Sequence, residues 1–262
     1  MPTLVFDIET IPDVAGLRRL HGIDAALPDG EVVEWALQRR RTQSGNEMLP
    51  LHLQRVIVIS CVLRDAQQLR IWSLAEPDIG EAQIVQRFFD GIERLRPQLV
   101  SWNGGGFDLP VLHARGLIHG VVAGRYWDWG DDDREYRFNN YLNRYHTRHL
   151  DLMDVLAMYQ VRANSPLSDM AQLCGFPGKL GMSGDAVWPS FQAGEYRRIR
   201  DYCETDVVNT YLLHLRFQHM RGVLDAVSYA EETALVRRTL TTLALPHWRE
   251  FIEAWPERTT TG

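Results

Sequence analysis

Residues 3–10 read TLVFDIET, an apolar run interrupted by Asp7 and Glu9. A β-strand sends alternate side chains to opposite faces, so Leu4, Phe6 and Ile8 share one face while Val5, Asp7 and Glu9 share the other. Burying an unpaired carboxylate is costly, and two like charges side by side raise each other's pKa. The segment therefore calls for positive charge between its two acids. A strand ending at Glu9-Thr10, with Asp7 paired to an arginine, would meet the same need by purely structural means.

The rest of the pattern places this strand in a mixed sheet. RVIVISCVL and QLRIWSL are rich in branched and aromatic residues and read as a hairpin turning at RDAQ. EAQIVQRFFDGIERL has the three-four apolar spacing of an amphipathic helix, and QLVSWN is a fourth, short strand. Strands and helices in this order predict an α/β domain with helices packed on a mixed sheet. Residues 12–52 show no sustained period and read as an irregular insertion with one short helix over 31–40. HLDLMDVLAMYQ predicts a helix capped by Asp151, and SPLSDMAQLCG one capped by Ser165, with Pro166 first and Gly175 as its stop. GEYRRIRDYCETDVVNTYLLHLRFQHM reads as one long helix. Residues 1–222 form the expected domain, with 223–262 as a helical extension ending in a frayed ERTTTG tail.

Composition narrows the function. A formal net charge of −6 over 262 residues excludes a protein that coats nucleic acid by bulk electrostatics, because such binding rests on many Lys and Arg contacts to phosphate. Any grip on a polyanion must be local. Three widely spaced cysteines in apolar surroundings suit a reducing compartment better than a disulfide framework. With no basic leader and no long apolar run, these features predict a cytoplasmic protein and no membrane partner.

Two further places carry acids. SWNGGGFDLPVL runs a strand into Gly104, Gly105 and Gly106, then Asp108 at a helix start; glycines free of Cβ would let another chain approach closely. Within YCETD, Tyr202 and Asp206 are four apart and share a helix face. Each signal has a plain structural alternative, a helix cap for the one and an amphipathic face for the other. The three in this order are much more specific. FDIET, NGGGFD and YCETD resemble the three motifs of the DEDD 3′-to-5′ exonucleases, in the subgroup with a tyrosine in the last motif. FDIETIPD, HLDLMD and GKLGMSGDAVW are similar to stand-alone predicted exonucleases related to the proofreading domain of family B DNA polymerases. Relatives with a catalytic histidine carry it five residues before the last acid, where this chain has Asp201; Tyr202, four before, is the match.

The resemblance covers residues 1 to about 215 and implies a ribonuclease H-like, mixed five-stranded sheet flanked by helices. It also implies that Asp7, Glu9, Asp108 and Asp206 bind two divalent metal ions, Mg²⁺ or Mn²⁺, with Tyr202 aiming the attacking water. All-oxygen ligands suit those ions, and two of them can support an in-line displacement at phosphorus. The expected partner is nucleic acid with a free 3′ end, single-stranded DNA first, released as nucleoside 5′-monophosphates. Thr10, Trp102, Asn103, Phe107 and Lys179 are the expected substrate contacts, with Phe107 preferred over Trp102 for base stacking. Two alternatives stand beside this one: an RNA-trimming exoribonuclease, and a non-catalytic binding subunit that keeps the fold. His146, His149 and Asp151 could be drawn as a zinc site, but no cysteine pair lies nearby and helix capping accounts for Asp151.

Overall fold

The computed structural model describes residues 1–75 and 79–256; the expected frayed tail lies outside the described residues. Five strands form one mixed sheet: β1 (Thr3–Pro12), β2 (Gln54–Arg64), β3 (Leu69–Leu74), β4 (Gln98–Ser101) and β5 (His149–Asp151). Their order is β3-β2-β1-β4-β5, with β1, β4 and β5 parallel, β2 antiparallel to β1, and β3 antiparallel to β2.

The alternation in β1 sorts the core into two layers. Leu4, Phe6 and Ile8 pack on the face covered by α3 (Glu81–Leu95) and α4 (Asp108–His119), where Phe88, Phe89, Ile92 and Leu112 are buried. Val5 faces the other way, into a core with Val207, Val208 and Tyr211 of α8 (Tyr196–Met220). The same face of β1 then presents Asp7 and Glu9, so these acids point toward the helix that carries Tyr202 and Asp206. Further along β1, Ile11 joins Val187 of α7 (Val187–Gln192) and Ile199 of α8 in a smaller core. α9 (Ala226–Leu243) and α10 (Pro246–Ala254) follow, with Val236, Leu240, Trp248 and Phe251 completing the main α8-side core.

Pairing of β1 with β4 stops at Val5, opposite Val100. Beyond that point β1 runs on without β4 beside it. The pairing of β1 with β2 shifts register between Glu9 and Thr10, a break of the kind common beside functional sites.

Several expectations need correction. The segment 12–52 is ordered as two helices, α1 (Val14–His21) and α2 (Asp29–Ser44), not one short one. α1 is capped by Asp13, whose carboxylate accepts the Gly16 N–H, and α2 buries only Val32, Val33 and Ala36. His149–Asp151 is a strand rather than the start of a helix; Asp151 does cap the short α5 (Leu152–Leu156), by accepting the Asp154 N–H. Pro166 rather than Ser165 occupies the cap position of α6 (Leu167–Leu173), without a side-chain bond. Asp108 is not the α4 cap; Phe107 is, and Asp108 opens the helix.

The insertion is fastened by a buried ionic cluster. Arg115 of α4 donates to Glu81 at 2.7 and 2.5 Å and to Asp13 at 2.6 Å, while Glu81 also accepts the Val56 N–H. Removing one partner of such a cluster strands the others without compensation. Arg115→Ala is therefore expected to cost about 3–5 kcal/mol, read as a lower urea midpoint at unchanged slope.

Candidate active site

Three elements bring the four acids together. β1 supplies Asp7 and Glu9, whose oxygens lie within 4.8 Å of one another and of Cys203 Sγ. Asp108 enters from the N-terminus of α4, and its Oδ1 accepts the Ile8 N–H at 3.1 Å. That amide is exposed to the carboxylate because β4 has already ended. Asp206 comes from α8, close enough to raise the carboxyl groups of both Asp7 and Glu9. Glu9, Asp108 and Asp206 are buried, and Asp7 is half-buried.

The electrostatics reflect this crowding. Burial first, then repulsion from Asp108 and Asp206, hold the Asp7 carboxyl well above the usual carboxylate range. Glu9 is raised by burial, then by Asp7, Asp206 and Asp108. Burial pushes Asp108 up to about 7, and Asp206 up to about 6 against the opposing pull of Lys179 and Tyr202. Asp206 Oδ1 is buried with no hydrogen-bond partner. A buried carboxylate oxygen left unpaired in an oxygen-rich cluster fits a hard divalent cation, whose charge would let the four acids ionise together. The residues present thus fit the implied metal ions.

Tyr202 lies one turn before Asp206 on the same face of α8. Burial and the charges of Asp206, Glu9 and Asp7 push its phenol pKa up. It stays protonated and can hold a water but not deprotonate it. Lys179, the chain's single lysine, is exposed, with Nζ 5.5 Å from the centre of the Tyr202 ring. It lowers the carboxyl groups of Asp7, Glu9 and Asp206, so it belongs to this cluster rather than to a remote loop.

The remaining expected contacts divide. Thr10 sits at the bulge and donates to Gln54 Oε1 at 3.0 Å. Asn103 adopts a left-handed φ of 65°, and its N–H donates to Asp151 Oδ1. Trp102 packs against the α8-side core, with its indole N–H donated to the Ser165 carbonyl at 3.0 Å. Phe107 packs partly against the opposite core. The glycine triplet does not leave room for a second chain at every position. A Cβ on Gly104 would meet Ser101 Cβ at 2.5 Å, and one on Gly106 would meet Asn103 Oδ1 at 2.4 Å. The space is used by the loop's own side chains, and Asp151 gathers the N–H groups of Asn103 and Gly105.

The histidines near Asp151 are otherwise engaged: His149 Nε2 is bonded to Ser101 Oγ, and His146 Nδ1 accepts the Asn140 N–H. A residue that sequence reasoning missed is Cys203. Its thiol lies 3.5 Å from both the carbonyl oxygen and Oδ2 of Asp7. Burial, then Asp7 and Glu9, push the thiol pKa up, so it acts as a neutral donor that steadies Asp7 rather than as a thiolate ligand. The available signal was its place three before Asp206 on the helix.

A mixed five-stranded sheet with clustered acids at the ends of its parallel strands fits the class of 3′-5′ exonuclease domains. Comparison with known proteins agrees: a family described as "Predicted 3'-5' exonuclease related to the exonuclease domain of PolB" matches residues 46–255. The chain belongs to this family. β1 precedes the matched span, so Asp7 and Glu9 are tied to the site by the structure. Among curated proteins, the DNA polymerase epsilon catalytic subunit of Saccharomyces cerevisiae is 24% identical over 144 residues, 53% of this chain and 6% of that protein. Its namesake from Dictyostelium discoideum is 38% identical over 63 residues, 24% of this chain and 3% of that protein. This chain thus corresponds to a small part of those polymerases. In fold it is similar to the family B DNA polymerase of the archaeon Pyrobaculum calidifontis, with a TM-score of 0.51 at 15% identity over 84% of this chain and 24% of the other.

Proposed function

We propose that this exonuclease trims single-stranded DNA from a free 3′ end, releasing nucleoside 5′-monophosphates with the help of two divalent cations, Mg²⁺ or Mn²⁺. The observation that carries this reading is the meeting of Asp7, Glu9, Asp108 and Asp206 beside Tyr202, with Asp206 Oδ1 unpartnered. A pure binding subunit would gain nothing from buried acids facing phosphates.

Cations held by these oxygens would supply Lewis-acid stabilisation to an attacking water and to the leaving 3′-oxygen of an in-line displacement. The chain's own groups do the rest. The four carboxylates come from three separate elements, β1, α4 and α8. Cys203 holds Asp7 in orientation. Tyr202 positions water through its protonated hydroxyl, and Lys179 approaches the departing phosphate from the open side. Phe107 and Asn103 border the loop that would receive the terminal nucleotide. Trp102, bonded to Ser165, shapes that loop from behind. Terminal binding touches few phosphates, which agrees with a net charge of −6. We place the protein in the cytoplasm, since its three cysteines are free, as suits a reducing compartment.

The test is a ladder assay with 5′-labelled single-stranded DNA and matched RNA, in Mg²⁺, Mn²⁺ or chelator. Stepwise shortening of DNA that stops with chelator supports the proposal. Faster shortening of RNA would make the protein an exoribonuclease, and bound but uncut strands in every metal would make it a binder. In the same assay Tyr202→Phe is expected to lower kcat by about 10- to 100-fold with little change in KM, the scale set by losing one positioning contact to the nucleophile.

A further inference from the structure

A second group of ligand-type side chains lies outside the four-acid cluster. Asp201 and Glu204 of α8 meet His247 near the start of α10, with ligand atoms of all three within 4.8 Å of one another. His247 Nε2 lies 2.9 Å from Glu204 Oε2. Glu204 is otherwise committed, since its Oε1 accepts the Ser73 hydroxyl at 2.7 Å. A carboxylate that takes the Nε2 proton fixes the imidazole tautomer and leaves Nδ1 with a lone pair.

In the neutral imidazole that lone pair makes no hydrogen bond. The His247 side chain is 9% exposed, its Nδ1 is buried without a hydrogen bond, and it faces Asp201 Oδ2 at 3.4 Å. With the imidazole neutral, two acceptors face each other at that separation and are poorly satisfied; protonated, the same contact is an ion pair. Ligand atoms about 2.0–2.1 Å from one tetrahedral ion lie about 3.3–3.4 Å apart, so the observed spacing is that of two zinc ligands. Arg200 donates to the other Asp201 oxygen, Oδ1, at 2.8 Å, while Oδ2 faces His247 and also pairs loosely with Arg197 Nε at 3.7 Å. The group opens on a cleft of about 540 Å³ that is also lined by Tyr202 and by Glu250, one turn beyond His247. Water from the cleft can supply the remaining positions.

We infer that Asp201 and His247 form a second metal site, selective for a zinc-type divalent cation, with Glu204 holding the imidazole from behind. An ion there ties α10 to α8 at the residue next to Tyr202. Its role is to clamp the C-terminal helix onto the helix that carries two of the proposed catalytic groups. The inference does not depend on the four acids binding metal.

The test separates the two sites. Zinc is titrated calorimetrically into the full chain carrying Asp7→Asn and Asp206→Asn, and thermal unfolding is followed in parallel. One equivalent is expected to bind and to raise Tm. Adding His247→Gln should weaken that binding at least tenfold and remove the Tm gain. Asp201→Asn, which leaves the His247–Glu204 bond in place, should do the same and guards against a folding defect in the first variant. Absence of zinc binding in the double variant, or binding indifferent to both further substitutions, would overturn the site and leave His247 as a member of an ion-pair network.

Discussion

Asp206→Asn is expected to lower 3′-5′ hydrolysis by on the order of 10³-fold or more, about 4 kcal/mol of transition-state stabilisation. Asparagine keeps the size and the helix position but removes the charge and one strong oxygen ligand. Because Asp206 Oδ1 bonds to nothing in the protein, the substitution breaks no internal hydrogen bond there. The fold should therefore survive, and circular dichroism should be unchanged. The metal-free protein should even become more stable, since Asp206 raises the carboxyl groups of Asp7 and Glu9 and so burdens the folded state. This pairing of lost activity with gained stability in chelator is what distinguishes a ligand from a structural residue. A variant that keeps a tenth or more of wild-type turnover would rule out Asp206 as a ligand.

Periodicity is what made parts of this site legible in the sequence. The alternation of TLVFDIET settled which way Asp7 and Glu9 point, because the opposite register would have buried them among Phe88 and Ile92. The four-residue spacing in YCETD likewise placed Tyr202 and Asp206 on one face of α8, and the long apolar period of that helix made the prediction robust. Short or weakly patterned elements were not legible. β5 has three residues and runs directly into a helix, so neither a period of two nor one of 3.6 had room to show. α2 buries three residues amid a run of arginines, which blurs its stripe. Long-range partners were hidden for a different reason. That Cys203 touches Asp7, or that His247 meets Asp201, depends on how α8 and α10 dock, and no local pattern encodes it. The glycine triplet illustrates the converse: the freedom was read correctly, but its use by Ser101 and Asn103 is a property of the folded loop.

The same crowding of charge gives a metal effect on stability that should grow with pH. Burial chiefly raises Asp108 to about 7 and Asp206 to about 6, and raises Asp7 and Glu9 as well, from ordinary values near 4. A carboxyl raised on folding contributes stability that is fully present below its unfolded value and is lost as pH climbs through the folded one. Without cations, this contribution should therefore fall by a few kcal/mol between about pH 4 and 7, since a tenfold change in a group's proton affinity is worth about 1.4 kcal/mol. Mg²⁺ binds the ionised form, so its gain should rise across the same window. His113, His149 and His214 work in the opposite sense. Burial lowers each to about 4 from 6.5, so their contribution is present above 6.5 and lost as pH falls through 4. They act with or without Mg²⁺ and cancel in the difference. Tm measured from pH 5 to 8 in chelator and in Mg²⁺ should give two curves that diverge upward, closely spaced at pH 5 and furthest apart at pH 8. In Asp206→Asn the separation should shrink at every pH. A gap that stays constant or narrows with rising pH would mean that the titrating carboxyls are not the groups that hold the metal.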